Sequence, residues 1–328
     1  MQVFYTSPWV PPEWIKAHGL EPSGVWLAGN SSPLPLAAGV CAFAESVVRL
    51  AETHPGSAMI FSTHCDQLRR GFDVAAGVAS GRAFLFNLPA TWQTPVAERM
   101  FASELERLGR FLVGLSGHPP KAGELRETMA RYRLARSQLL VAAAHLSARQ
   151  CCEAIARFHW DGSINLEANG RRPETDAIPL AVVGGPLPAW QWNVLDALEG
   201  AGGRVVLNAT EAGERSLGPP LPAEQGPAGA CTLSDLVCLL TRGFLDNCVD
   251  VFQRPNTRLY SWLKERLAAR KVRGIVLWHY VGCDLWRAEA QPLREASGLP
   301  VLLLDANEAA GDALRQSGRI QAFLESLR

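Results

Sequence analysis

Three cysteines share a placement suited to metal chemistry. Cys283 follows the apolar run Gly274 to Tyr280 (GIVLWHY) and precedes a helix-like stretch starting near Asp284. Cys65 follows Ala58 to Ser62 (AMIFS) and precedes the helical DQLRR. Cys41 follows the loop from Gly29 to Gly39 and opens the helical AFAESVVRLAE. In open α/β sheets, ligands bind beyond the carboxyl ends of the strands. A helix N-terminus carries partial positive charge, which favours thiolate over thiol. Thiolates are what iron–sulfur clusters need. Three of them leave one iron of a [4Fe–4S] cluster without a protein ligand, and an open position separates a catalytic metal site from a structural one. The same placement also fits buried core thiols, or a zinc site that adds His64 or His279.

Acid–base work would fall to His18, Glu13, His64 or His279, though each reads more readily as a satisfied structural group. Asp66 and Asp284 directly follow two of the cysteines and are expected to cap helix starts. Cys248 also precedes a helix. Cys151, Cys152, Cys231 and Cys238 fall at or within helical stretches and read as core or surface residues. None of the eight cysteines forms a CxxC pair, so zinc-ribbon and thioredoxin readings get no support.

Positioning such residues calls for parallel α/β units, and the chain has their rhythm of apolar runs and amphipathic stretches. In the first half, strands are expected at Val25 to Ala28, Ala58 to Ser62 and Ala83 to Leu88. Helices follow at about Val96 to Leu115 and Gly123 to Ile155; Leu105, Leu108, Leu112 and Leu115 give the former an apolar stripe. The polar stretch Ala168 to Pro173 reads as the interdomain connection. In the second half, strands are expected at Leu180 to Val183, Arg204 to Leu207, Gly274 to Tyr280 and Pro300 to Leu304. Helices are expected at Trp190 to Glu199, Leu233 to Phe244, Thr257 to Ala269, Leu285 to Ala296 and Glu308 to Leu327. Glu211 to Ala230, rich in proline and glycine, reads as a loop. The fold class is α/β, with an N-terminal domain with long helices over 1–165 and a C-terminal domain over 175–328.

The 328 residues suit about two domains of roughly 150 each. Hydrophobic residues make up 48% and charged residues 20%, enough to bury sizeable cores. Lys plus Arg and Asp plus Glu both total 32, so the formal net charge is zero. With no basic stripe, nucleic acid is not the expected partner. No apolar run approaches a membrane span, and the N-terminus lacks the pattern of a secretory signal. A cytoplasmic protein with reduced thiols is expected.

Several stretches carry a resemblance. Pro12-Glu13-Trp14-Ile15-Lys16-Ala17-His18-Gly19-Leu20-Glu21-Pro22 is followed by His64-Cys65-Asp66-Gln67-Leu68-Arg69-Arg70. Then come Cys248 with Arg254-Pro255-Asn256-Thr257-Arg258, and Gly282-Cys283-Asp284-Leu285-Trp286. Last are Gly298-Leu299-Pro300-Val301-Leu302-Leu303-Leu304-Asp305 and Gly318-Arg319-Ile320-Gln321-Ala322-Phe323-Leu324-Glu325. In order, they resemble the opening "PEELI-AAG-xxP", the cysteine-aspartate motifs, the middle segment and the closing "GIPxLxxxxD…TRIEAFLE" of the 2-hydroxyacyl-CoA dehydratase and benzoyl-CoA reductase subunits. The matches run from residue 12 to 325. Gly318 stands where the family usually has threonine, and the Pro-rich stretch from Gly218 to Gly229 has no counterpart.

The resemblance implies two Rossmann-like or flavodoxin-like parallel-sheet domains with an iron–sulfur cluster in the cleft between them. Cys41, Cys65 and Cys283 would be its ligands. It also implies either a lyase of the 2-hydroxyacyl-CoA dehydratase type or an oxidoreductase of the benzoyl-CoA reductase type, both anaerobic. In the dehydratases one injected electron turns the thioester into a ketyl radical anion, the α-hydroxyl departs, and the electron is returned. The implied partners are an acyl-CoA substrate, an ATP-dependent iron–sulfur activator protein, and a related second subunit or a second copy in a homodimer. The chain has no GxxxxGK[ST] loop, in keeping with ATP being handled elsewhere. Arg69, Arg70 and Arg319 are candidates for the CoA phosphates. Some relatives carry a double-cubane [8Fe–9S] cluster on more cysteines and reduce small molecules. A non-catalytic electron-relay subunit is a further alternative.

Overall fold

The computed structural model describes residues 1–28, 39–79, 81–164, 176–218, 231–306 and 312–328. Strands inside a parallel sheet are covered on both faces and so must be apolar along their length. Strand β3 (Ala58–Ser62) and strand β7 (Gly274–Tyr280) are buried at every residue and span the ranges their sequences predict. In the first sheet β3 is joined by β1 (Gln2–Tyr5), β2 (Glu21–Gly24) and β4 (Ala83–Phe86), all parallel, in the order β2-β1-β3-β4. In the second, β7 is joined by β5 (Ile178–Gly184), β6 (Gly203–Thr210) and β8 (Val301–Ala306), in the order β6-β5-β7-β8. The two orders are equivalent. Each chain half lays its second strand to one side of the first and then crosses to the other side. A switch of this kind opens a crevice at the carboxyl ends of the two inner strands. Here those are β1 and β3 in one sheet, and β5 and β7 in the other.

The helices of the first half are α1 (Pro12–Ala17), α2 (Ala42–Thr53), α3 (Asp66–Val78), α4 (Pro95–Gly114), α5 (Ala122–Ala142) and α6 (Ala148–Asp161). Those of the second are α7 (Asn193–Gly200), α8 (Leu233–Asn247), α9 (Thr257–Ala269), α10 (Asp284–Ala288), α11 (Ala290–Ser297) and α12 (Asp312–Ser326). None of the described helices is long and apolar enough to cross a membrane.

Three expectations are corrected, and one strand is new. The apolar run from Val25 to Ala28 is a turn, and the strand lies just before it, at β2. Strand β1, unanticipated, sits inside the first sheet with Val3, Phe4 and Tyr5 fully buried. The long helix expected from Gly123 to Ile155 is broken at residues 143–147, where a new helix begins on a Ser147–Gln150 capping box. The helix expected from Leu285 to Ala296 is interrupted at Glu289, whose carboxylate accepts from Asn256 and Tyr260. The expected connection at 168–173, the Pro-rich stretch over 219–229 and the first residues of the expected last helix lie outside the described residues.

The halves are interlocked. Helix α6 packs on both β2 and β6, and α8 packs on α4 and α5 of the first half. One apolar cluster includes Phe4 and Ile60 of the first sheet and Val182 and Val276 of the second. Backbone bonds from Ala189 N to Trp26 O (2.8 Å) and from Arg254 N to Ala90 O (2.8 Å) cross between them.

A buried histidine adds a pH-sensitive tie. His159 on α6 takes Tyr5 Oη at Nδ1 (3.0 Å) and Ser216 Oγ at Nε2 (2.9 Å). Burial, reinforced by the nearby Arg136 charge, pulls its pKa down to about 3, so the folded ring is neutral. Below the unfolded value of about 6.5, the unfolded chain binds the proton that the folded chain refuses, so stability falls as pH falls. Denaturant titrations are expected to show about 2 kcal/mol less stability at pH 5 than at pH 7 from this residue. The pH difference should shrink by about that amount in His159→Gln.

Candidate functional site

The three cysteines occupy the same local position in three different places. Cys41, Cys65 and Cys283 are the N-cap residues of α2, α3 and α10. Cys65 is reached from the end of β3, and Cys283 from the end of β7, where its N–H donates to Tyr280 O (3.0 Å). Cys41 Sγ accepts from Ala44 N (3.5 Å), and the Cys41 N–H donates to Gln67 Oε1 (2.8 Å). That last bond ties the start of α2 to the first turn of α3. Contrary to expectation, Asp66 and Asp284 do not cap these helices; they occupy the first turn, where a carboxylate favours the positive end of the helix dipole.

The switch points of the two sheets bring these N-caps together. One cavity, open to solvent, is lined by Cys41, Cys65 and Cys283. Cys41 and Cys65 come from the first half and Cys283 from the second. Phe43, Pro186 and Tyr280 supply apolar wall, and Glu211 and His64 supply the titratable groups.

The thiols are not the activated thiolates expected at helix N-termini. Burial pushes all three upward, Cys283 to about 12. The charges of Cys41 and Cys283 raise Cys65 further. Desolvation and mutual repulsion outweigh the helix ends. A set of this kind ionises together only around a positive centre, as metal coordination provides. Its donor chemistry fits an iron–sulfur group, held by Cys thiolates. Among the described residues no three or more His, Cys, Asp and Glu side chains are arranged to hold a metal ion. The zinc reading thus gains no support. In a cluster each thiolate binds a different iron, so the sulfurs surround the group instead of converging on one point.

Of the candidate acid–base residues, the cavity receives His64. Its Nδ1 meets Ser62 Oγ (2.7 Å) and its Nε2 meets Glu211 Oε2 (3.3 Å). Burial pulls the His64 pKa down, but the Glu211 carboxylate more than offsets this, and the value lies above the ordinary one. Glu211, just beyond the end of β6, had drawn no attention in the sequence. His18 and Glu13 do not line the cavity. His18 is buried under α4 with Nδ1 on Trp14 O (2.7 Å), and Glu13 is paired with Arg136 of α5 at full burial. His279 Nδ1 faces Tyr280 O (3.1 Å).

The arginines separate in the same way. Arg69 and Arg70 lie on the exposed side of α3, the helix that Cys65 opens, and contact Asp66 and Gly39 O. Arg319 is spent on Asp305 Oδ1 (3.1 Å) and Leu303 O (2.7 Å), bracing α12 against β8. Cys248 is buried, with Sγ donating to Pro8 O (3.5 Å), away from the cavity lining. Cys151 and Cys152 are buried core residues, while Cys231 is half-buried and Cys238 exposed.

A family model described as "2-hydroxyglutaryl-CoA dehydratase, D-component" matches residues 9–327. The chain belongs to this family. The family name implies dehydratase, hence lyase, activity in a subunit of a 2-hydroxyacyl-CoA dehydratase-like enzyme, and the family is generally associated with iron–sulfur clusters. No curated protein matches the chain. Solved structures similar to it include the SBP FpvC in complex with Ni2+ from P. aeruginosa, 11% identical over 100% of this chain and 96% of that one, with a TM-score of 0.23. Another is a mutant of the laminin-binding adhesin Lmb from Streptococcus agalactiae, 8% identical over 100% and 99%, also with a TM-score of 0.23. Likenesses this low carry no argument. For a D-component relative, the placement of three cysteine N-caps on one cavity is the feature that matters.

Proposed function

We propose that this chain is the iron–sulfur subunit of a 2-hydroxyacyl-CoA dehydratase or of a related aryl-CoA reductase. It would act on an acyl-CoA thioester with electrons from an ATP-dependent iron–sulfur activator, beside a related second subunit or a second copy of itself. The observation that carries the reading is that Cys41, Cys65 and Cys283 line a single cavity at the facing switch points of the two sheets. Bound there, a [4Fe–4S] cluster would supply low-potential electrons and one open coordination position. The chain's own residues do the rest. Phe43 and Tyr280 give the site an apolar wall, their rings tilted at 31° with centroids 6.2 Å apart. His64, between Ser62 and Glu211, would hold or move a proton beside a bound thioester. Arg69 and Arg70, exposed on α3, would meet CoA phosphates.

Cysteine placement favours the single cluster over the double cubane. A larger cluster calls for further thiols on the cavity, and the other five cysteines do not line it.

Anaerobic reconstitution with iron and sulfide tests this directly. The wild type is expected to hold about four irons per chain, and Cys283→Ser to lose most of them, while Cys248→Ser keeps them. Roughly double that count would move the double-cubane reading ahead. No iron in a folded wild-type protein would overturn the cluster.

A further inference from the structure

Glu211 enters the cavity from the second sheet, opposite Cys41 and Cys65. Its N–H donates to Gly185 O (3.2 Å), which holds its backbone against the carboxyl end of β5. The residue is only 5% exposed. Oε2 is taken by His64, but Oε1 is buried and has no hydrogen-bond partner among the described residues. A buried carboxylate oxygen left unpaired is costly, and one that lines a cavity calls for a partner there, such as a water or an ion.

The Arg215 guanidinium, four residues along the chain, does not relieve it. Arg215 spends its donors on Ala209 O, Val249 O, Gly184 O and Asp250. His64 has no second proton to offer Oε1, because Nδ1 is engaged by Ser62. The missing partner must therefore come from the cavity that Glu211 lines together with three cysteines. Its charge is felt by Cys41 and Cys283. Metal-bound carboxylates are commonly oriented by a hydrogen bond to their other oxygen, and His64 makes that bond here.

We propose that Glu211 is the fourth protein ligand of the cluster, closing through Oε1 the coordination position that the three cysteines leave open, with His64 as its positioning residue. This rests on the cluster reading above. The site would then be four-sided, with Cys41 and Cys65 from the first half and Cys283 and Glu211 from the second. Substrate oxygen would enter by displacing a carboxylate, a ligand exchange without net transfer of electrons.

The test uses anaerobically reconstituted full-length protein and cyanide as a small probe of the open iron position. Wild type, Glu211→Gln, Glu211→Ala and His64→Gln are compared by iron content, by the electron paramagnetic resonance spectrum of the reduced cluster, and by cyanide titration. Both Glu211 variants are expected to keep about four irons, to change the spectrum, and to bind cyanide at about tenfold lower concentration, equivalent to 1.4 kcal/mol. His64→Gln should shift cyanide binding in the same direction by less. Loss of iron from both Glu211 variants at unchanged melting temperature would support the assignment as well. Spectra and cyanide midpoints that superimpose on the loaded wild type would overturn it and leave the three-cysteine cluster standing. A wild type that takes up no iron would instead overturn the cluster reading, and this assignment with it.

Discussion

Replacing Arg136 with methionine, or Glu13 with alanine, is expected to destabilise the protein by about 3–5 kcal/mol. Arg136 on α5 donates to Glu13 Oε1 on α1, and both side chains are almost fully buried, at 5% and 0% exposure. Removing either partner leaves the other as an uncompensated charge in a low-dielectric interior, a far larger penalty than losing a surface ion pair. Glu13 Oε2 already lacks a partner, so without Arg136 the whole carboxylate would be stranded. Arg136 also lies over the rings of Phe158 and Phe244, at 5.5 and 5.4 Å, and its removal forfeits those contacts too. For a protein of 328 residues the melting temperature should fall by roughly 4–7 °C. The double variant Glu13→Leu/Arg136→Met removes both charges together and is expected to recover most of the loss. A Glu13→Gln variant that melts like the wild type but has lost turnover would contradict this structural role and make Glu13 a catalytic candidate again.

The contrast between Glu13 and Glu211 explains what was legible in the sequence. Glu13 stood out because it lies in a recognisable opening stretch, yet its work is structural. Glu211 drew no attention, although it is placed by the rule that picked out the cysteines: it follows directly on a strand, at the carboxyl end of β6. What the sequence lacked was the pairing of residues 147 apart that brings Glu211 to His64, a contact set only by the meeting of two sheets. Cys65 and Cys283 were legible because AMIFS and GIVLWHY are largely apolar runs of strand length whose ends mark where the strands stop.

Elsewhere tertiary context prevailed over local preference. The residues of β2, Glu-Pro-Ser-Gly, have almost no intrinsic strand tendency and are extended because β1 pairs with them. The apolar residues that follow were the stronger local signal, but they turn inward as core: Val25 and Trp26 are buried in the turn. The break between α5 and α6 did carry a signal, the Ser147-x-x-Gln150 box, which a continuous run of helix-favouring residues concealed. The break at Glu289 has no such local mark; it follows from hydrogen bonds to a distant segment.

Gly184→Ala is the other substitution with a large expected effect. Gly184 ends β5 at φ +146°, and an added Cβ would lie 1.8 Å from Trp278 O of the neighbouring strand. No rotation relieves that overlap, because the backbone fixes the Cβ position and Trp278 O is itself a backbone atom. Either β5 or β7 must move where the two run side by side, Gly184 opposite Trp278. The corner is also what aims the site. Gly185 N donates to Trp278 O (3.1 Å), Gly185 O holds Glu211 N (3.2 Å), and Pro186 O accepts from Trp278 Nε1 (3.1 Å). Strain of this kind belongs with the rare substitutions that cost about 4 kcal/mol or more. The prediction is a loss of that size in chemical denaturation, together with weakened iron retention in whatever protein remains folded. Gly123→Ala is the control. It lies in the first turn of α5 with nothing within 4 Å of an added Cβ. There the same methyl group should stabilise the protein by about 0.5 kcal/mol through helix propensity. A Gly184→Ala protein as stable as wild type would mean that β5 and β7 do not approach this closely, and the cavity wall built on their ends would have to be redrawn.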